Sequence, residues 1–354
     1  MRMRYDKEHL FDEYIVQGET SRKQRAENWQ IAIGLQDVDR LQNSPYLLET
    51  AKEHIEGNID FAAVQKRIAE YYKTEEGRKL AATRSDEADT VASRISEVLE
   101  EEAFAFIPEE YSRLHKRLFD DVFPHAGKYR RMNISKPEWV LDGESVIYAP
   151  AELLKETVEY DFSLERQFSY QGLSAQESVK HICKFISGLW QIHPFMEGNT
   201  RTTAVFTIFY LRKFGFFIDN EPFKLHSWYF RNALVRANYN NYAQGVSATT
   251  VFLERFFENL LFKGKNELKN RFCHIRWEGD TSAQSANPKC KNCTLEEAAV
   301  LDFLKQNPHA TQKIIAEKIG KSERTVKTIT KALQGKGLLS RKNGKRNGVW
   351  EVLQ

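Results

Sequence analysis

The residues best suited to chemistry lie in one short segment, from His193 to Arg201, which has the sequence His-Pro-Phe-Met-Glu-Gly-Asn-Thr-Arg. This segment follows one stretch of helical periodicity and leads directly into another, so we expect a loop that ends at a helix N-terminus. Such a place offers unpaired backbone N–H groups and the positive end of the helix dipole, which bind phosphate readily. Gly198 allows a phosphate to approach closely, and Arg201 can grip it in a bidentate manner. The segment therefore predicts an anion site.

Two other side chains of this segment add catalytic chemistry to anion binding. The imidazole of His193 titrates near neutrality, so it can take a proton from an incoming hydroxyl. Glu197 supplies a hard carboxylate oxygen suited to Mg²⁺, which keeps several waters and bridges to substrate phosphates. Taken singly, His193 is as well explained as a helix-end histidine and Glu197 as an exposed acid. Because both residues occur in the same segment as the predicted anion site, we interpret the segment as an active site.

The same segment resembles the signature of the Fic family, HxFx(D/E)GNxR between two helices, and every fixed position of that signature is met here. The resemblance covers roughly residues 104–261. It implies Mg²⁺-dependent transfer of AMP from ATP to a Ser, Thr or Tyr hydroxyl of a target protein. By this resemblance His193 is the general base, Glu197 is the metal ligand, and the nucleotide phosphates are held by Gly198, Asn199, Thr200 and Arg201.

The resemblance also implies an adenine pocket on helices further along the chain. Tyr229, Phe230 and Asn238 occupy the matching places, although the alignment there is loose. The alternative is that the two rings are core aromatics and that Asn238 is a surface residue.

Two departures from the family pattern leave the chemistry open. The longer pattern has a second arginine three residues after the first, for the distal phosphates, and this sequence has Ala204 there. The position of Thr200 is often glycine, and the related Doc branch, which transfers phosphate, also has a larger residue there. The alternatives are an enzyme that transfers phosphate or another nucleotide group, and a DNA-binding regulator that senses a nucleotide without turnover.

The segments around this loop predict a mainly α protein, because apolar residues recur at helical spacing over most of the chain. With 354 residues, we expect several domains. We predict an N-terminal helical cap over residues 1–76, a Fic catalytic domain over 77–265, a polar linker over 266–292 and a winged helix-turn-helix domain over 293–354. One β-hairpin is predicted at 138–148, because Asp142-Gly143 stands between two β-branched and aromatic runs. It resembles the family's flap, on which a target segment docks by strand addition.

The N-terminal region resembles the antitoxin-type segment that is fused to some Fic proteins. The family places a serine or threonine four residues before an inhibitory glutamate that pairs with the second motif arginine; the corresponding positions here are Lys52 and Ala204. We hypothesise that Glu56 still reaches the phosphate site, toward Arg201, because opposite charges attract strongly in a partly desolvated cleft. The alternative is that Glu56 is a helix-end acid beside the helix-ending Gly57.

The C-terminal region has the order helix, helix, turn, helix, hairpin, and it resembles the winged helix-turn-helix superfamily over about residues 294–353. Basic residues concentrate on its third helix and wing, which is typical of a surface that neutralises DNA phosphates. Near the start of that helix, we expect DNA contacts from Arg324, Thr325, Lys327 and Thr328. The remaining members of the basic face are Lys321, Lys331, Lys336, Arg341, Lys342, Lys345 and Arg346. The alternative is a module for protein contacts or dimerisation.

Composition excludes several other classes. No apolar run approaches the ~20 residues that a membrane-spanning helix needs, and no signal peptide is recognisable, so we expect no membrane partner. Four cysteines do not make a disulfide framework in a chain of this length, which indicates the cytoplasm. A zinc site from Cys273, His274, Cys290 and Cys293 is a weak alternative, because adjacent ligands rarely reach one tetrahedral ion. A homodimer is compatible with the sequence.

Overall fold

The computed structural model describes residues 6–17, 20–216, 218–277, 293–342 and 348–353. The fold is mainly helical, as predicted, and the strands among the described residues form one antiparallel pair in the C-terminal region. No helix in the described ranges has the length and apolar character needed to cross a bilayer. Of the predicted linker at 266–292, residues 278–292 lie outside the described ranges, and residues 266–277 include a short helix at Asn270–Cys273 with Cys273 buried.

The N-terminal part is a set of helices that packs onto the rest of the protein. Ser44 caps one of them by accepting the N–H of Leu47, with Pro45 at its first position, and Gly57 ends it in the left-handed region with φ +85°. The helices are α1 (Asp12–Gln17), α2 (Thr20–Gly34), α3 (Pro45–Glu56), α4 (Phe61–Tyr71), α5 (Glu75–Ala81) and α6 (Ser85–Leu99), with a 3-10 turn at Leu35–Asp39 between α2 and α3.

The central part carries the signature segment between two of its longer helices. Both helices bury large apolar side chains, including Trp190 on the first and Phe206 on the second. The helices are α7 (Pro108–Phe119), α8 (Leu154–Gln167), α9 (Ala175–Ile192), α10 (Asn199–Arg212), α11 (Glu221–Ala237), α12 (Val251–Phe262) and α13 (Asn270–Cys273).

One hydrophobic core joins the N-terminal and central parts. Trp29 of α2 and Phe230 of α11 are both fully buried in it, and α2 packs against α6 and α11. The 3-10 turn at Leu35–Asp39 packs against α6, α10 and α11. The N-terminal segment is therefore wedged beside the helix that follows the signature loop, so its residues can reach that loop.

The C-terminal part has its own core around Trp350, whose indole N–H donates to the carbonyl oxygen of Ala310 at 3.0 Å. Thr294 and Glu297 cap the first helix reciprocally, as a capping box. The elements are α14 (Leu295–Gln306), α15 (Gln312–Ile319), α16 (Glu323–Gly335), β1 (Leu339–Lys342) and β2 (Val349–Val352), with Leu339 paired to Val352.

The predicted hairpin at 138–148 is wrong as secondary structure. The described segment forms no paired strands and contains a 3-10 turn at Trp139–Leu141. The cause lies in the neighbours: the side chain of Val140 is buried in the core, and its carbonyl oxygen accepts the backbone N–H of Ile275 at 2.9 Å. Glu138 closes the segment around this 3-10 turn: its N–H donates to the carbonyl oxygen of Glu144 at 2.9 Å, and its carbonyl oxygen accepts the N–H of Gly143 at 3.0 Å. We call residues 138–148 the flap loop.

Gly34 provides a test of how tightly the N-terminal part is packed. A Cβ added there would lie 2.2 Å from the carbonyl oxygen of Phe223, on α11. We expect Gly34→Ala to lower the free energy of unfolding by about 3 kcal/mol, because overpacking forces backbone shifts. Chemical denaturation measures this. Gly335→Ala is the matched control, since a Cβ there meets nothing within 4 Å, and equal midpoints for the two variants would contradict the packing.

Candidate active site

The signature segment forms a tight loop between α9 and α10. His193 ends α9 in the left-handed region with φ +50°, and Gly198 precedes α10 with φ +76°. Asn199 closes the loop on itself: its side chain accepts the N–H of Phe195 at 3.0 Å and donates to the carbonyl oxygen of Phe195 at 2.7 Å. The predicted loop running into a helix N-terminus is therefore present, and Asn199 holds its shape.

His193 is nearly enclosed, with 4% of its surface exposed. The ring of Tyr148, from the flap loop, lies against it at 4.3 Å between centroids. Its Nδ1 atom has no hydrogen-bond partner among the residues that the structure describes. Burial, followed by the charges of Lys136 and Arg231, holds the pKa of His193 well below its usual range. The imidazole is therefore neutral near pH 7 and able to accept a proton.

Glu197 is half exposed and forms an ion pair with Lys136 at 3.0 Å between Oε2 and Nζ. Its single carboxylate fits Mg²⁺, which proteins often hold through one or two carboxylates together with waters and substrate phosphates. Within the described ranges, no group of three or more His, Cys, Asp or Glu side chains can hold a metal by itself. Lys136 thus occupies one of the two oxygens, Oε2, of the carboxylate that would hold Mg²⁺.

Arg201 is buried and already engaged by the N-terminal part of the chain. Its Nη2 atom lies 2.7 Å from Glu87 Oε1 on α6 and 2.9 Å from Asp39 Oδ2 in the 3-10 turn, and its Nη1 atom donates to Gln36 Oε1 at 3.1 Å. Its guanidinium also lies over the ring of Phe119 at 4.8 Å. The predicted phosphate arginine thus has two carboxylates where a phosphate would bind.

Arg231 extends this network toward the flap loop. It pairs with Asp39 at 3.1 Å and with Glu138 at 2.8 Å. Burial alone would raise the pKa of Asp39, but the charges of Arg201 and Arg231 hold it below its usual value. Asp39 is therefore ionised near neutral pH, and it links α10, α11 and the N-terminal part electrostatically.

Gly198 and Thr200 both support the loop. A Cβ on Gly198 would lie 2.5 Å from the ring of Phe119, so this position has no room for a side chain. Thr200 Oγ1 accepts the indole N–H of Trp190 at 3.0 Å and thereby ties the start of α10 to α9. Thr200 stands where the family often has glycine, and its hydroxyl therefore has a structural role in joining α9 to α10.

Two residues that the sequence did not indicate hold the loop from outside. His115 stacks on Phe195 at 3.7 Å between centroids, and its Nε2 lies 2.9 Å from the carbonyl oxygen of Glu197. The N–H of Gly127 donates to His115 Nδ1, which leaves Nε2 as the donor to Glu197. Arg130 donates to the carbonyl oxygen of His193 at 2.9 Å. No local pattern marks either residue, because both act through contacts distant in sequence.

Within the described ranges, no hydrogen bond or ring contact joins the predicted adenine residues to the signature loop. Tyr229 and Phe230 are fully buried, and the ring of Phe230 packs against Phe256 at 5.0 Å, as expected for core aromatics. Asn238 donates to the carbonyl oxygens of Ser187 and Leu234 and lines a cleft of about 660 Å³ between α8, α9 and the end of α11.

Glu56 does not reach Arg201, contrary to our expectation. Its carboxylate accepts hydrogen bonds from the hydroxyl of Tyr14 at 2.6 Å and from Asn58 at 3.1 Å, at the exposed end of α3. The acids beside Arg201 are Asp39 and Glu87. Gly57 turns the chain away at the surface, whereas the 3-10 turn before α3 is wedged against α10.

The C-terminal basic face is partly neutralised. Acids of the same region pair with Lys321, Lys336 and Lys342. On α16, Arg324 and Lys327 are exposed and form no ion pair within the described ranges. Thr325 and Thr328 are also exposed; the hydroxyl of Thr325 bonds to that of Ser322, and the hydroxyl of Thr328 donates to the carbonyl oxygen of Arg324. Of the remaining predicted members, Lys331 is exposed and Arg341 lies over the Trp350 ring. Lys345 and Arg346 lie outside the described residues.

The zinc alternative receives no support. Cys273 is fully buried, and Cys290 lies outside the described residues.

Comparison with known proteins identifies two domains. Residues 105–211 match the model of the Fic/DOC family, and residues 299–340 match the model described as winged helix-turn-helix DNA-binding. The chain thus contains a Fic/DOC domain and a winged helix-turn-helix domain, as the sequence predicted. The first match contains the complete signature segment, and the second contains α15 and α16.

Among curated proteins, the chain is 30% identical over 132 residues to the protein adenylyltransferase VbhT of Bartonella schoenbuchensis, and 30% identical over 128 residues to the probable protein adenylyltransferase y4lH of Sinorhizobium fredii. These matches cover 37% and 36% of this chain, and 25% and 62% of the relatives' lengths. The chain is also similar to a solved Fic family protein from Desulfovibrio desulfuricans G20, at 12% identity and a TM-score of 0.45, over 98% of this chain and 93% of that chain.

Proposed function

Because the chain contains a Fic/DOC domain with a complete signature loop, we propose that it is a protein adenylyltransferase, which transfers AMP from ATP to a Ser, Thr or Tyr hydroxyl of a target protein in the cytoplasm. The observation that carries this proposal is the loop itself, where a neutral, nearly enclosed His193 stands beside Glu197 and the N-terminus of α10. The names of the two adenylyltransferase relatives support the same reaction.

In the proposed reaction, the target hydroxyl oxygen bonds to the α-phosphorus of ATP, the bond to the β-phosphate breaks, and pyrophosphate leaves. His193 takes the proton of the hydroxyl. The N–H groups at the start of α10, with Arg201, hold the phosphates. Glu197 would hold Mg²⁺, which would neutralise phosphate charge. The target segment docks along the flap loop, in which the apolar side chain of Ile147 is 84% exposed.

The N-terminal segment inhibits this activity in our proposal. Gln36 engages Nη1 of Arg201, and Asp39 and Glu87 engage Nη2, so a phosphate bound at these nitrogens would lie against two carboxylates of like charge in a desolvated site. The inhibitory acids in this proposal are Asp39 and Glu87, not Glu56, and Asp39 is the one carried by the 3-10 turn. Withdrawal of the 3-10 turn at Leu35–Asp39 would remove Asp39 and Gln36 from Arg201.

Label position distinguishes the possible transferred groups. The protein is incubated with Mg²⁺, a cell extract as a source of target, and ATP labelled at either the α or the γ phosphate. We expect protein-bound label from α-labelled ATP alone. Protein-bound label from γ-labelled ATP alone would show that the protein transfers phosphate and not AMP.

A second function, DNA binding, is favoured by the exposed cations of α16. We expect the double variant Arg324→Ala/Lys327→Ala to bind duplex DNA about tenfold more weakly than the wild type. The slope of log affinity against log salt concentration should fall by the amount expected for about two lost phosphate contacts. Fluorescence anisotropy at several salt concentrations measures both quantities. Lys313→Ala, on the exposed side of α15, is the matched control. Equal affinity of the double variant and the control would leave α16 without a DNA role.

A further inference from the structure

The loop lacks charge for the outer phosphates of a triphosphate. Ala204, one turn after Arg201 on α10, is fully buried and uncharged. Arg201 itself has 1% of its side chain exposed, which places it deep in the site. A side-chain cation for an outer phosphate, in addition to Mg²⁺, would therefore have to come from another element.

Lys136 is placed to do this. It belongs to the segment that leads into the flap loop, where its backbone N–H donates to Ser145 Oγ at 3.0 Å. Its Nζ atom lies at the signature loop, 3.1 Å from the carbonyl oxygen of Met196 and 3.0 Å from Glu197 Oε2. About a fifth of the side chain is exposed (22%), so the ammonium group faces both the loop and solvent.

The charge of Lys136 acts on the groups at the centre of the site. For His193, burial is the largest cause of its lowered pKa, and the charge of Lys136 is the next. For Asp39, burial raises the pKa, and the charges of Arg201, Arg231 and then Lys136 lower it. The contacts of its Nζ atom with Met196 and Glu197 place the ammonium group at the signature loop, where a phosphate bound beside Glu197 would lie within its reach.

We propose that Lys136 binds the β- and γ-phosphates of the nucleotide and supplies the charge that Ala204 does not. This proposal rests on the proposed function, because it assigns a residue to the same nucleotide site. Lys136 changes partner when the nucleotide binds: its ammonium group leaves the carboxylate of Glu197, which becomes available to Mg²⁺, and pairs with phosphate oxygens.

The nucleotides themselves separate this role from a merely structural ion pair. ATP and ADP carry phosphates beyond the α position, and AMP does not. A lysine that binds the outer phosphates contributes to ATP and ADP affinity and leaves AMP affinity unchanged. A lysine that only shapes the loop affects all three nucleotides alike, because all three share the α-phosphate and adenosine.

The test measures the affinities of ATP, ADP and AMP in the presence of Mg²⁺ by isothermal titration calorimetry. All variants carry Asp39→Asn, so that the site is accessible. We expect Lys136→Met to weaken ATP and ADP binding about tenfold, as for loss of one charge-assisted contact, and to leave AMP binding within about twofold. Lys136→Arg should retain most of the ATP affinity. Lys128→Met, an exposed lysine nearby in sequence, is the control.

The outcomes also separate this proposal from the proposed function. Unchanged ATP affinity in Lys136→Met, or an equal loss for ATP and AMP, overturns the role of Lys136 and leaves adenylyl transfer intact. Absence of ATP binding to the Asp39→Asn protein with Lys136 in place contradicts the nucleotide site as a whole, and the role of Lys136 with it.

Discussion

Asp39→Asn is expected to raise the rate of AMP transfer about 10- to 100-fold, the range of a typical coupling free energy between two competing states of a site. The substitution keeps the shape of the side chain and removes the negative charge that lies 2.9 Å from Arg201. Arg201 then attracts phosphate more strongly, and the N-terminal segment holds its inhibitory position less well. The initial rate of incorporation of α-label measures the effect.

Two control variants make this result specific. Asp37→Asn removes an acid of the same 3-10 turn, which pairs with Lys7 and not with Arg201. Glu56→Gln removes the acid that pairs with Tyr14. Neither should raise the rate. Activation by Glu56→Gln with none by Asp39→Asn would restore the original hypothesis for Glu56 and contradict the structure-based one.

His193→Ala is expected to reduce AMP transfer by about 10²- to 10⁴-fold, the usual contribution of a general base. Nucleotide affinity should change little, because the phosphate contacts come from the start of α10, Arg201 and Lys136. Transfer rates and ATP affinity are measured on the same preparations. His309→Ala, at an exposed position of the C-terminal part, is the matched control. A rate that survives the loss of His193 would mean that a different group takes the proton.

The local parts of the site could be predicted from the sequence because their chemistry depends on neighbours in the chain. The signature loop is fixed by α9, by Gly198 and by the clamp that Asn199 makes with Phe195, all within a few residues. The same holds for the C-terminal helices, whose predicted order is present and whose first helix begins with a capping box of Thr294 and Glu297.

Long-range contacts explain what the sequence did not reveal. Arg201 meets Asp39, 162 positions earlier, because α2 and the 3-10 turn pack against α10 and α11, and no local pattern encodes that juxtaposition. The hairpin prediction at Asp142-Gly143 failed for the same reason. The turn residues do adopt the left-handed conformation, but the backbone of Val140 pairs with Ile275 instead of with a second strand.

The central claim is a transferase site that depends on His193 and is restrained by Asp39. Its most direct test is label transfer from α-labelled ATP to protein, with and without a cell extract as acceptor, for the Asp39→Asn variant and for Asp39→Asn/His193→Ala. We predict strong labelling with the first protein and almost none with the second. Absence of α-label under both conditions, or equal labelling by both proteins, would contradict the claim.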